Sequence, residues 1–161
     1  MESFLDILVI TLAVLITYQD IKQRRVHFIA LAAFIGLLVV KAVYLSAYIE
    51  VLLLEILMNL TIVGVMILLL WIYFKFLRKK RLFEVIGMGD ILLFVAFAIA
   101  FEAGTFIIHL TMSLVFSLIF HFIFKNHYKK HKTIPLAGFM CIYFIGILVM
   151  EKFHLEIPFP L

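Results

Sequence analysis

Two aspartates are the residues of this very apolar chain best suited to chemistry. Asp20 ends the first long apolar segment, and Asp90 begins a later one directly after residues 87–89. A carboxylate at a bilayer boundary is costly and usually has a function. Two such groups brought together share a proton, because burial and like charge raise the pKa of one of them. The ionised group can then take a proton from water while the protonated group polarises a carbonyl.

The elements that must position these carboxylates are membrane helices. The 161 residues are 66% hydrophobic, and their mean hydropathy is +1.23. At about 20 residues per crossing, this length allows about six helices and no sizeable soluble domain. We therefore expect an all-α polytopic membrane protein with a single domain over residues 1–161. The six apolar segments run over about residues 4–19, 28–47, 51–74, 90–101, 105–124 and 134–150.

The positions of the basic residues predict the orientation of the chain. Of the 14 Lys and Arg, 12 lie in the three polar stretches at residues 20–27, 75–89 and 125–133. By the positive-inside rule these alternate loops are cytoplasmic, and both termini are extracytoplasmic. We interpret the basic runs as topological anchors in a cell inner membrane, and we predict no nucleic-acid partner. Asp20 and Asp90 then lie together at the cytoplasmic boundary, although 70 residues separate them.

The fourth segment is too short for an ordinary crossing. It holds about 12 residues, each adding about 1.5 Å to a helix. Two glycines precede it, so we expect the backbone of Gly87, Met88 and Gly89 to be non-helical. Glycine lets an extended peptide approach and pair with the backbone, which makes these three residues candidates for substrate binding.

Three short motifs resemble those of the prepilin peptidases, also called type IV leader peptidases, which are bacterial membrane aspartic proteases. Residues 20–26 are similar to the family segment D-x-x-x-R-R-I-P-N, and residues 87–90 match its G-x-G-D motif. Residues 133–138 are similar to the start of the family's last helix. The resemblance covers the whole chain and identifies it as a minimal member. The matching residues are Asp20-Ile21-Lys22-Gln23-Arg24-Arg25-Val26, Gly87-Met88-Gly89-Asp90 and Thr133-Ile134-Pro135-Leu136-Ala137-Gly138.

This resemblance implies an aspartic endopeptidase with Asp20 and Asp90 as its catalytic dyad. The implied substrates are type IV pilin-like precursors, whose leader peptide is cleaved at the cytoplasmic face of the membrane. The chain departs from the family pattern at residues 26–28, at Leu92 and at Gly138, where the family usually has Ile-Pro-Asn, lysine and a second proline.

Cofactors are not expected from this sequence. Larger relatives carry a methyltransferase region with cysteine-bound zinc, but the single Cys141 cannot build such a site. We therefore predict neither a metal nor a cofactor, and no methylation activity.

Four further charged or titratable residues merit a prediction. Glu84, three residues before Gly87, and His121, near the cytoplasmic end of the fifth segment, are possible accessory residues of the site. Lys41 and Glu55 lie inside apolar segments, each seven residues from Tyr48 at the tip of the predicted hairpin. Because this puts them at similar depth, we predict that they form an ion pair.

Two other functions fit the same carboxylates. Acidic residues inside a membrane often bind ions, so a small ion- or proton-coupled transporter is the main alternative. The sequence shows no internal repeat, which argues against the common transporter architectures. A third possibility is a non-catalytic protein that binds pilin-like helices.

Overall fold

The structure, a computed structural model, describes residues 2–23, 25–79, 86–124 and 135–152. These residues form six α-helices and contain no strand. The α3 helix continues into one π-helical turn, Phe74–Arg78. The helices are α1 (Glu2–Gln23), α2 (Phe28–Leu45), α3 (Ile49–Tyr73), α4 (Met88–Ala100), α5 (Ala103–Phe124) and α6 (Leu136–Lys152).

Four of the helices are long and apolar enough to cross a membrane. These four are Ser3–Gln23, Phe28–Leu45, Ile49–Phe76 and Ala103–Phe124. Within the described residues, α4 has only 13 residues and is not one of these candidate spans. The all-helical, membrane-type fold predicted from the apolar segments is therefore confirmed, whereas six crossings remain a prediction.

The short helix α4 lies at the centre of the bundle. It packs against α2, α3, α5 and α6, and α1 packs against α2 and α6. Its buried side chains include Leu93, Phe94 and Phe97, which follow Asp90 at helical spacings of three, four and seven. The buried face of α4 therefore begins with the carboxylate and continues as apolar packing.

The outer surfaces of the helices are unusually apolar. Large hydrophobic side chains such as Ile29, Leu57 and Phe122 are more than half exposed. Contiguous apolar surface of this extent is typical of a surface that contacts lipid. The fold thus buries polar groups at its centre and presents apolar side chains outward.

A cavity of about 360 Å³ lies over the C-terminal end of α4, where this helix stops short of its neighbours. Lys41 and Glu55 both line the cavity, but the predicted ion pair between them is wrong. The Nζ of Lys41 instead lies 3.0 Å from Oδ1 of Asp6. Similar depth does not pair Lys41 with Glu55, because α2 packs closely on α1 and only weakly on α3.

Candidate active site

Asp20 lies in the last turn of α1, on the face that the helix buries. Val9, Ala13, Ile16 and Asp20 follow one another at spacings of four, three and four, and all four are buried. The carboxylate is therefore carried into the protein by the same helical face that packs the core. Only 8% of Asp20 is exposed. Its Oδ2 accepts a hydrogen bond of 2.7 Å from the backbone N–H of Gly138, in the first turn of α6.

Gly138 allows α1 and α6 to approach each other closely. A Cβ atom at this position would lie 3.3 Å from both Oδ2 of Asp20 and Cγ1 of Ile21. The hydroxyl of Thr17 donates a 2.8 Å hydrogen bond to the carbonyl of Ala13 in its own helix and also lies 3.3 Å from the carbonyl oxygen of Gly138. The absence of a side chain at Gly138 is therefore what lets the Asp20 carboxylate reach a backbone N–H of the neighbouring helix.

Asp90 lies in the first turn of α4 and faces the same part of α6. Its Oδ2 accepts a hydrogen bond of 3.3 Å from the backbone N–H of Gly87, just before the helix. A second backbone N–H, that of Ala137, lies close enough to the Asp90 carboxylate to lower its pKa. Asp20 and Asp90 thus face adjacent backbone N–H groups at the start of one helix.

The electrostatic surroundings of Asp90 favour its protonated form. Burial and the negative charge of Asp20 raise the pKa of Asp90 to about 6. The backbone N–H groups of Gly87 and Ala137 act in the opposite direction and lower this pKa, but their effect is smaller. A helix N-terminus carries partial positive charge, so the first turn of α6 stabilises one negative charge at the pair. The arrangement therefore suits a pair of carboxylates that share one proton.

The backbone of residues 87–89 is more helical in the structure than predicted. Gly87 is extended, with φ −67° and ψ 146°, but Met88 and Gly89 already belong to α4. Gly89 packs beside α2 and the residues just before it: an added Cβ would lie 3.7 Å from Leu31 in α2 and 3.9 Å from Val26. These are ordinary contact distances. Of the three residues predicted to be non-helical, only Gly87 is extended. Met88 is exposed beside the carboxylates.

The two accessory candidates have different outcomes. Glu84 lies outside the described residues. His121 lies in the last turn of α5, and its Nδ1 is buried without a hydrogen-bond partner among the described residues. It makes no hydrogen bond to either carboxylate in this part of the chain. The described residues also include no cluster of three or more acidic, histidine or cysteine side chains that could hold a metal.

Ala137 and Gly138 are the site residues that side-chain reasoning missed. They contribute backbone N–H groups, which no residue type reveals. The available signal was positional: Pro135 comes directly before α6, and proline is common at helix starts, where backbone N–H groups are free. A helix start directly after the last basic stretch thus indicated free donors on the same side as the aspartates.

The comparisons with known proteins returned no relative. No protein-family model, no curated protein and no solved structure matches the chain.

Proposed function

We propose that the chain is a membrane-embedded aspartic endopeptidase of the prepilin-peptidase type. The observation that carries this proposal is the meeting of two distant carboxylates at one helix start. The charge of Asp20 acts on Asp90, and the first turn of α6 presents N–H groups to both. The resemblance of residues 20–26 and 87–90 to the family motifs supports the same reaction.

The surroundings of the two carboxylates suggest their roles in peptide hydrolysis. Asp90 holds the shared proton, because burial and the charge of Asp20 raise its pKa. We assign Asp20 as the ionised member of the pair, since its Oδ2 accepts the hydrogen bond from the Gly138 N–H. Asp20 then removes a proton from water while Asp90 donates a hydrogen bond to the scissile carbonyl. The resulting hydroxide attacks the carbonyl carbon while Asp90 gives its proton to the carbonyl oxygen. Asp20 then passes the proton it took from water to the amide nitrogen, the C–N bond breaks, and Asp90 takes a proton back from the tetrahedral intermediate, so no covalent enzyme intermediate forms.

The proposed substrates are pilin-like precursors of the inner membrane. Such a precursor has a short basic leader followed by an apolar helix, so its cleavage site lies at the cytoplasmic boundary of the bilayer. The dyad lies at the end of α1 and the start of α4, next to the basic stretches 20–27 and 75–89, which the positive-inside rule assigns to the cytoplasm. The cleavage site of the precursor and the two aspartates are then on the same side of the membrane.

The test is cleavage of a co-expressed prepilin-like substrate by the wild type and by two variants, Asp20→Asn and Asp90→Asn. Each substitution keeps the side-chain size but removes the acid–base function, so each should abolish cleavage. Glu50→Gln is the matched control, because it neutralises an exposed carboxylate at the far end of α3. Cleavage retained by both aspartate variants would reject the proposal. Ion-coupled uptake that is lost in the same two variants would favour the transporter.

A further inference from the structure

A buried asparagine holds the end of α4 that is farthest from Asp90. Asn59 lies in α3, within a candidate membrane span, and is 0% exposed. Its Nδ2 donates two hydrogen bonds to α4, of 3.0 Å to the carbonyl of Ala98 and 2.8 Å to that of Phe101. A buried polar side chain in an apolar span is costly and usually has a function.

The two carbonyls that Asn59 binds cannot be satisfied within α4. The last carbonyls of a helix lack partners in the helix itself, and Ala98 and Phe101 are buried, at 0% and 3% exposed, away from water that could replace those partners. The N–H of Phe101 bonds to the carbonyl of Phe97, which leaves the carbonyls of Ala98 and Phe101 to the amide of Asn59. This amide therefore fixes the height and the rotation of the C-terminal end of α4.

Contacts along the rest of α4 do not fix its position in the same way. Its buried side chains, such as Leu93 and Phe97, pack through apolar contacts that lack direction. Among the described residues, its directional contacts with other helices lie at its two ends: the Asp90 carboxylate with the Ala137 N–H at one, and the carbonyls of Ala98 and Phe101 with Asn59 at the other. A helix of 13 residues transmits a shift at one end to the other, because its backbone is internally hydrogen-bonded.

We infer that Asn59 is a positioning residue that holds α4 so that Asp90 faces Asp20 at the start of α6. Without its two donors, the freed carbonyls gain other partners only if α4 slides or turns, and Asp90 moves with it. The consequence for cleavage rests on the proposed function, whereas the effect on the position of Asp90 does not.

The positioning role of Asn59 can be tested without any protease assay. The chain contains three aspartates, Asp6, Asp20 and Asp90. Protein labelled with ¹³C at the aspartate carboxyl in lipid nanodiscs therefore gives three NMR signals, and single Asp→Asn variants assign them. The full-length variant Asn59→Leu keeps the number and branching of the side-chain heavy atoms but removes both donors. Thr61→Val is the matched control, because the exposed Thr61 bonds only within its own helix.

The expected result is a lower titration midpoint for Asp90 in Asn59→Leu. Burial and the charge of Asp20 both raise this pKa, and a displaced α4 weakens both effects. We expect a fall of about 0.5 units or more. Asp20→Asn gives the shift produced by the loss of the charge alone. Thr61→Val should titrate as the wild type does. If Asn59→Leu does not fold, Asn59→Ser retains one donor and should show a smaller fall of the same sign.

A merely structural role for Asn59 gives a different result. It would lower the thermal stability of the chain but leave the Asp90 midpoint of the folded protein unchanged, and this outcome overturns the inference. In a cleavage assay, the inference predicts that kcat/KM falls and that its alkaline limb moves to lower pH in Asn59→Leu. If the wild type cleaves nothing while the Asp90 midpoint still shifts, the proposed function fails and the positioning role stands.

Discussion

At the scale of single residues, the two carboxylates differ in what surrounds them. Asp20 accepts a short hydrogen bond from Gly138, whereas Asp90 is half-buried beside the charge of Asp20. These surroundings assign the base to Asp20 and the acid to Asp90 in the proposed reaction. The motifs alone treat the two aspartates alike, so this division of roles comes from backbone groups and not from residue types.

The raised pKa of Asp90 predicts how cleavage depends on pH. Below about pH 6 Asp90 keeps its proton. Above this pH Asp90 is ionised, so the site has two ionised carboxylates and no general acid. We therefore expect kcat/KM to fall as the pH rises through about 6, by about tenfold per unit. Initial rates with a synthetic leader peptide between pH 4.5 and 8.5 test this. A rate that rises steadily to pH 8.5 would contradict the assignment of the acid.

Gly138→Ala tests the close approach of α1 and α6. The added methyl group would press on Asp20 and Ile21, each 3.3 Å away, and would separate the two helices by a few tenths of an ångström. Overpacking of this kind costs about 1–2 kcal/mol, and we expect cleavage to fall about tenfold or more. Thermal unfolding in detergent and cleavage rates measure the two effects.

The same helix offers a matched control for this substitution. Gly146 lies in α6 too, and a Cβ there would have nothing within 4 Å. Gly146→Ala should leave cleavage unchanged and raise stability by at most about 1 kcal/mol, because alanine favours a helix. Equal losses in the two variants would show that helix flexibility, and not the contact with Asp20, is what matters.

At the scale of helices, the sequence predicted the elements well and their partners less well. Apolar runs predicted α2 at 28–47 and α4 at 90–101, close to the observed Phe28–Leu45 and Met88–Ala100. This agreement has a physical reason, since the composition of each segment reports its exposure to lipid. Lateral packing has no such local signal. The partner of Lys41 was therefore wrongly predicted as Glu55 on α3, whereas it is Asp6 on α1.

The ion pair between Asp6 and Lys41 links α1 to α2 at the end of the bundle opposite to Asp20. Its side chains are 18% and 12% exposed, so either charge alone would be poorly solvated. Lys41→Met should lower the free energy of unfolding by about 3 kcal/mol, because it leaves a carboxylate without its partner. The double variant Asp6→Leu/Lys41→Met should recover most of this loss.

Unfolding in mixed micelles, with a double-mutant cycle, measures this coupling. Additive losses in the cycle would show that the two charges do not stabilise each other. Cleavage should change little in the double variant as long as the protein is folded, because the pair lies about 20 Å along α1 from the dyad.

At the scale of the whole molecule, the two ends of the bundle have different characters. The end with Asp20 and Asp90 adjoins two strongly basic stretches, whereas the opposite end has the cavity lined by Glu55 and Glu102. The positive-inside rule therefore predicts that the dyad lies on the cytoplasmic side.

Cysteine labelling tests this orientation. The native Cys141 is buried, so an introduced cysteine is the main target of a thiol reagent. Ala47→Cys, in the exposed α2–α3 connection, should react with a membrane-impermeant maleimide in intact cells, or spheroplasts if an outer membrane blocks access. Lys79→Cys, at the opposite end, should react only after the membrane is permeabilised. Reaction of Lys79→Cys from outside would reverse the proposed topology.

The hydrogen bond from Gly138 to Asp20 also sets an order of events during synthesis. Both carboxylates leave the ribosome before residue 91, but Ala137 and Gly138 emerge some 47 residues later. A nascent chain therefore carries its two acids without the backbone donors that stabilise one charge between them. Under the proposed function, the site is then complete only after the last described helix has been synthesised, so translation itself delays the first cleavage.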